Sequence, residues 1–382
     1  MTLDRRHLLK QLGLGIAAGS MLVPERATAD SAQHAPHVRP PLEHRGPIRL
    51  DHNENAFGPS RKAVAAIQEA ASHASRYPDT AVLQNALALR HNVKPEQIVL
   101  GAGSTDVLRM AASAFLNAGN TLILANPTCE LLAAYAKKNG AMVVDVPLRN
   151  DHAHDLDAML QRSAQSGASG LIYVCNPNSP TGTLTPRSEL EAFIAKLPPD
   201  FHVLIDEAYH DYAGRSGSYQ SFLDRPVANP HLTVTRTFSA AHGLAGVRVG
   251  YAVSSAPVVS KLSLSASPFA VSGTGVASAL AALADQQHVD TCVKRNVDDR
   301  QEFKNQVNAR MLRVLDSHTN FACLNVMRPA GEILEHYRKN NFVLAPPIPA
   351  MPNYLRISLG TPEEMLEFWR VWDLLGSHPM SM

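Results

Sequence analysis

TRTFSAAHGLAGVRVGY, Thr235 to Tyr251, is the segment from which the architecture of the chain can be inferred. It leads out of an apolar run, HLTVTRT, into a glycine-broken loop with Ser239 at its mouth and Arg248 nine residues on. A serine hydroxyl and the planar fork of an arginine together suit a phosphate: one gives a single hydrogen bond, the other grips two oxygens. The same kind of apolar run recurs at IVLGAG, TLILANP, AMVVDVPL, LIYVCNP, HVLIDEAY and, after the loop, RVGYAVS. Most are separated by stretches of helical spacing, such as DVLRMAASAFL, ELLAAYAKK and RSELEAFIAKL. Nearly continuous apolar runs alternating with helices predict an α/β fold with a mostly parallel, seven-stranded sheet covered on both faces. Ligands of such sheets sit at the carboxyl ends of the strands. Each candidate site residue falls just after one of these runs.

GAGSTD, Gly101 to Asp106, closes the first run and opens a helix, where free backbone N–H groups and the hydroxyls of Ser104 and Thr105 would favour an anion. Asp206, in LIDEAYHDY, ends an apolar run, where an unpaired carboxylate would be costly to bury. Glu207 and Asp211 beside it read as a solvated face or as structural hydrogen-bond partners.

SAAHGLAGVRVG resembles the active-site loop of fold-type I pyridoxal-phosphate (PLP) aminotransferases of the histidinol-phosphate aminotransferase kind, written S-K-x-x-G-L-A-G-x-R-x-G. In that family the lysine forms a Schiff base with the cofactor; here its place is taken by Ala240. LDHNENAFGPS (50–60) resembles the family's N-E-N-P-x-G-P-S opening, with Ala56 for the first proline, and the resemblance puts Asn55 at the substrate pocket. Tyr77, in RYPD, would reach the cofactor phosphate of a second subunit, which implies a homodimer. Ser104, Thr105, Ser239 and Arg248 match the family's phosphate cup. Cys129, in NPTCELLAAY, stands where the family has an aromatic residue stacked on the pyridine ring. CNPNSPTG resembles N-P-N-N-P-T-G, whose asparagine reaches the cofactor's phenolic oxygen; Asn178 or Ser179 would take that part. Asp206 would pair with the pyridine nitrogen and Tyr209 with the phenolic oxygen. Arg356, in YLRISLG, would bind the substrate's α-carboxylate.

The resemblance runs from about residue 48 to 375 and implies PLP as cofactor, with an amino acid and a 2-oxo acid as substrates. FVLAPPIPAM holds no arginine where relatives that take histidinol phosphate usually carry one, so a neutral or apolar substrate side chain is expected. His242, two residues past Ala240, is a conceivable substitute base, whereas Lys261 lies too far along. Three readings stay open: an aminotransferase impaired at Ala240, a non-catalytic binder of PLP or a PLP adduct, and a PLP enzyme of another reaction type.

At 382 residues the chain can bury a large core in more than one domain. A formal net charge of +1 with 18% charged residues gives no sign of a nucleic-acid surface. The seventeen histidines show no tight ligand spacing, and the four cysteines (Cys129, Cys175, Cys292, Cys323) form no CxxC. No metal site is expected, and the cysteines read as free buried thiols. MTLDRRHLLK, the apolar run LGLGIAAGSMLV and Ala27-Thr28-Ala29 resemble a twin-arginine (Tat) export signal with cleavage after Ala29. The apolar run is too short to span a bilayer comfortably, so no membrane attachment is expected after cleavage. The expected organisation is a signal peptide (1–29), an extended arm (30–48), a large PLP-binding domain (49–280) and a smaller α+β domain (281–378) joined by part of the N-terminal segment. The protein is expected in the periplasm or outside the cell.

Overall fold

Seven of the strands in the computed structural model are the seven apolar runs. The structure describes residues 46–224 and 229–375, which belong to one compact unit; the export signal and most of the arm lie outside the described residues. The strands are β1 (Ile48–Leu50), β2 (Ile98–Gly101), β3 (Thr121–Asn126), β4 (Met142–Pro147), β5 (Gly170–Cys175) and β6 (Phe201–Asp206). They continue as β7 (Leu232–Thr237), β8 (Gly250–Val253), β9 (Arg313–Val314), β10 (Phe321–Asn325), β11 (Phe342–Leu344) and β12 (Tyr354–Ser358). The large sheet runs β2-β8-β7-β6-β5-β3-β4. Only β8 is antiparallel to its neighbours.

The alternation of side chains explains why these runs are apolar throughout. Ile123, Ile172, Val174, Val203 and Ile205 enter one core, together with Ala63, Val276 and Ala279 of the helices Arg61–Ala71 and Gly273–Leu283. Leu122, Leu124, Leu171, Tyr173 and Leu204 enter the other, against Val107, Leu108 and Ala111 of the helix Ser104–Phe115. Successive residues of a strand point to opposite faces, so a strand covered on both sides has no polar face to spare. Every residue of β5 and β6 is buried, while the edge strand β4 buries only Val146.

A third core belongs to the C-terminal elements. Phe303, Tyr337, Phe342, Phe368, Trp369 and Trp372 gather there with Ile48 and Leu50, and Tyr337 stacks on Phe368 at 4.7 Å between centroids. Burying each such side chain stabilises by about 1.5–3 kcal/mol. The antiparallel sheet β12-β10-β9 lies in this part, and β1 pairs in parallel with β11, so the N-terminal strand is built into the C-terminal core. No helix among the described residues is long and apolar enough to cross a membrane.

Candidate active site

The sheet brings the phosphate-cup residues to one edge. Strands β2 and β7 run in parallel, and β8 runs back between them, with Gly250 opposite both Gly101 and Thr237. The chain leaving β2, the chain leaving β7 and the chain entering β8 therefore meet at that edge. Ser104 and Thr105 open the helix Ser104–Phe115, whose N-cap Gly103 supplies no side-chain bond to the first N–H groups. Arg248 holds a left-handed φ of 62° and sends its fork across the gap, donating from Nη2 to Thr105 Oγ1 (3.1 Å) and from Nη1 to Ser239 Oγ (3.3 Å). Gly103 has a φ of +82°, and a Cβ there would collide with the Arg248 guanidinium. The result is a cluster of a guanidinium, three hydroxyls and a helix N-terminus, a ready anion site.

Asp206 is two residues beyond Leu204 and so faces the same side as Tyr173 and Cys175. Tyr173 Oη donates to Asp206 Oδ2 at 2.9 Å, and the Ala208 N–H donates to Oδ1 at 3.1 Å. Burial pushes the Asp206 carboxyl up to about 6, against the pull of these two hydrogen bonds. The Cys129 thiol lies beside Tyr173 and Asp206, and burial raises it. Tyr209 packs edge-on against Phe321 at 5.2 Å and accepts a hydrogen bond from Asn53 Nδ2 at 2.8 Å. Burial pushes its phenol up to about 12, so it stays protonated at neutral pH. Glu207 is a structural partner: fully buried, it accepts from Ser221 Oγ, the Phe222 N–H and Arg236 Nε. Asp211 pairs with His210.

Ala240 is buried in an apolar cluster with Tyr212, Ala241, Val289 and Val293, against which Tyr209 packs. Neither basic neighbour in the sequence stands in for a lysine there. Lys261 Nζ sits over the ring of Phe115, 4.3 Å from its centroid. The His242 ring packs on Phe238 at 4.9 Å with its Nδ1 buried and unpartnered, and burial lowers it to about 4. Such an imidazole is neutral at pH 7 and a weak base.

Arg356, on β12, donates from Nη2 to the Asp51 carbonyl (2.6 Å) and from Nη1 to Ser179 Oγ (3.4 Å), while its Nε is buried without a partner. It borders a cavity of about 220 Å³ lined by Thr128, Cys129, Ser179, Pro346, Pro347 and Ile348, among others, with no second cation among the described residues of its wall. Two expected site residues are hydrogen-bonded within the chain. Asn178 Oδ1 accepts from Thr128, and its Nδ2 donates to the Pro127 carbonyl and to Thr181 Oγ1, so Ser179 is the one beside Arg356. Asn55 braces the loop: its Nδ2 donates to the Ala241 carbonyl at 2.9 Å and its Oδ1 accepts from the Phe57 N–H. Tyr77 is 78% exposed and stacks on Phe269. All four cysteines are free, with Cys129 half-buried and the others buried.

The sequence alone does not single out Tyr173 and gives Asn53 no part. A tyrosine in a run buried on both faces needs a partner for its hydroxyl, and that is the signal that could have found Tyr173. The model of the aminotransferase class I and II family matches residues 45–370. The chain belongs to that family. This aminotransferase is 35% identical over 320 residues to the histidinol-phosphate aminotransferase of Bacillus velezensis, covering 83% of this chain and 88% of the relative. It is 33% identical over 324 residues to that of Caldicellulosiruptor saccharolyticus, covering 84% and 89%. The crystal structure of the Sinorhizobium meliloti histidinol-phosphate aminotransferase, in complex with pyridoxal-5'-phosphate, matches with a TM-score of 0.80 at 27% identity, over 86% of this chain and 90% of that one.

Proposed function

We propose that this aminotransferase holds PLP without a covalent bond to the chain, and that Ala240 is what limits its turnover. The observation that carries this reading is the cup. Arg248 is locked on Thr105 and Ser239 at a helix N-terminus, beside a buried carboxylate at Asp206 and a protonated phenol at Tyr209. The residues fit the cofactor. Ser104, Thr105, Ser239 and Arg248 would hold its phosphate, Asp206 its ring nitrogen, and Tyr209 its phenolic oxygen. The bound cofactor supplies an electron sink for the bonds at an amino acid's α-carbon. Arg356, with its orphaned Nε–H, would orient the substrate by its carboxylate, and Asp206 would keep a proton on the ring nitrogen. The family's lysine also carries a proton between the α-carbon and the cofactor, which is acid–base work that the Ala240 methyl cannot do.

Further readings go with it. The proline-walled cavity beside Arg356 supports a neutral or apolar amino acid side chain over a phosphorylated one. The exposure of Tyr77 supports a homodimer in which it reaches the partner's cup. The twin arginines, Arg5 and Arg6, support export of a folded protein to the periplasm or beyond. A non-catalytic binder is the second reading, favoured by the enclosure of Ala240 among apolar side chains.

Amino transfer from a panel of amino acids to 2-oxo acids tests the proposal. Ala240→Lys should be faster than the unaltered chain by about 100-fold or more, the scale of a restored acid–base group. A lysine variant that binds PLP and transfers no amino group would sink the impaired-transaminase reading in favour of the binder; other products would indicate a changed reaction.

A further inference from the structure

Asn53 lies in the LDHNENAFGPS segment with a φ of 56°, in the left-handed region that asparagine tolerates better than most residues. It is buried, and all four of its polar atoms are committed. Its N–H donates to Ser358 Oγ at 2.8 Å, and its carbonyl accepts from Asn320 Nδ2 at 2.8 Å. The Ser358 hydroxyl, already an acceptor, gives its hydrogen to Asn53 Oδ1 at 3.2 Å. With the amide oxygen on that side the Ser358 hydrogen has an acceptor; with the amide turned over it would face an N–H group and have none among the described residues. The nitrogen end then points at Tyr209 and donates to its Oη at 2.8 Å.

A phenol has one hydrogen to give. Because Asn53 serves Tyr209 as donor, the Tyr209 hydrogen stays available, and no group among the described residues accepts it. We infer that Asn53 is a positioning residue: anchored to β12 through Ser358, it sets Tyr209 as a hydrogen-bond donor toward the bound ligand's phenolic oxygen. The inference rests on the PLP reading of the same site and adds a residue outside the cup to it. It also links the N-terminal segment and β12 to a site atom.

Asn53→Asp tests it. The side chain keeps its shape, its tolerance of a left-handed backbone and its bond from Ser358, but the donor facing Tyr209 becomes an acceptor that captures the phenolic hydrogen. PLP affinity and the absorption maximum of bound PLP are measured for the unaltered chain, Asn53→Asp, Tyr209→Phe and the double variant. Asn53→Asp should weaken PLP about tenfold and shift the band, the scale of one hydrogen bond lost with its partner left unpaired. In the Tyr209→Phe background it should do neither. Equal weakening in both backgrounds, or unchanged affinity and band, would overturn the positioning role. If Asn53→Asp does not fold by circular dichroism, Asn53→Gly fits the left-handed φ and serves the same cycle, with a smaller loss that again vanishes without the Tyr209 hydroxyl. If the unaltered chain itself fails to bind PLP, the cofactor reading falls and this inference with it.

Discussion

Asp206 is where the site's electrostatics can be read most directly. In the ligand-free chain its carboxyl is raised from an ordinary 3.8 to about 6, because burial disfavours the anion more than Tyr173 and Ala208 stabilise it. Between those two values the folded state binds a proton that the unfolded chain has released. Stability from this group is therefore full below about pH 4, falls as pH rises through about 6, and above that is a standing cost of at most about 3 kcal/mol. Asp206→Asn should accordingly make the ligand-free protein more stable than the unaltered chain near pH 8, by about 1–3 kcal/mol, with the gain gone near pH 4. Urea unfolding at the two pH values checks this; a gain that persists at low pH would point to packing instead. The residues legible in the sequence were those whose chemistry stands out against a run, as Asp206 does at the end of FHVLID. The protein partners of Asn178 and Asn55 were not legible because an amide's partners are set by the fold: Thr128 and Pro127 for the one, Ala241 for the other. Tyr173 was hidden because its partner lies on a neighbouring strand.

The loop from Ser239 to Arg248 is the element on which the proposed function depends, and it is held at both ends. Gly243 has a φ of +69° and lies so close to the Gly58 carbonyl that a Cβ would collide with it. Asn55 ties the same two segments together at the Ala241 carbonyl. At the far end, Arg248 is aimed by its left-handed backbone and by the start of β8. Gly103→Ala would put a methyl into the guanidinium and add strain of about 1–3 kcal/mol, because its φ of 82° and ψ of 167° lie in a region nearly confined to glycine. It should weaken PLP by about tenfold or more, the scale of a lost charge-assisted bond, and lower the melting temperature by several degrees through the strain. Unchanged affinity, measured by titration, would mean that Arg248 takes no part in binding. All seven strands of the large sheet were legible as apolar runs. The reversal of β8 was not, since periodicity carries no direction, yet that reversal is what delivers Arg248 to the edge shared by Ser104 and Ser239.

At the scale of the whole molecule, the site is assembled from parts far apart in the chain: a strand-to-helix junction at Gly101–Thr105, the end of β6, the loop after β7, and Arg356 on β12. The N-terminal strand β1 sits in the C-terminal core beside β11, which carries Asp51 to Arg356 and Asn53 to Tyr209. The C-terminal part was legible as a separate pattern of helices and strands, but β1 and β11 are too short to reveal their pairing. If Tyr77 serves a neighbouring cup, sedimentation should give twice the mass of one chain, and Tyr77→Phe should weaken PLP about tenfold, as one hydrogen bond to a charged group would; a monomer that binds PLP fully would contradict the dimer. The most direct test of non-covalent PLP binding at an Ala240 site is an absorption titration with PLP followed by borohydride and gel filtration, on the chain and on Ala240→Lys. Saturable binding to both, with cofactor fixed to the lysine variant and washed off the unaltered chain, is the predicted result. No saturable binding to the unaltered chain, or cofactor fixed to it by borohydride, would contradict it.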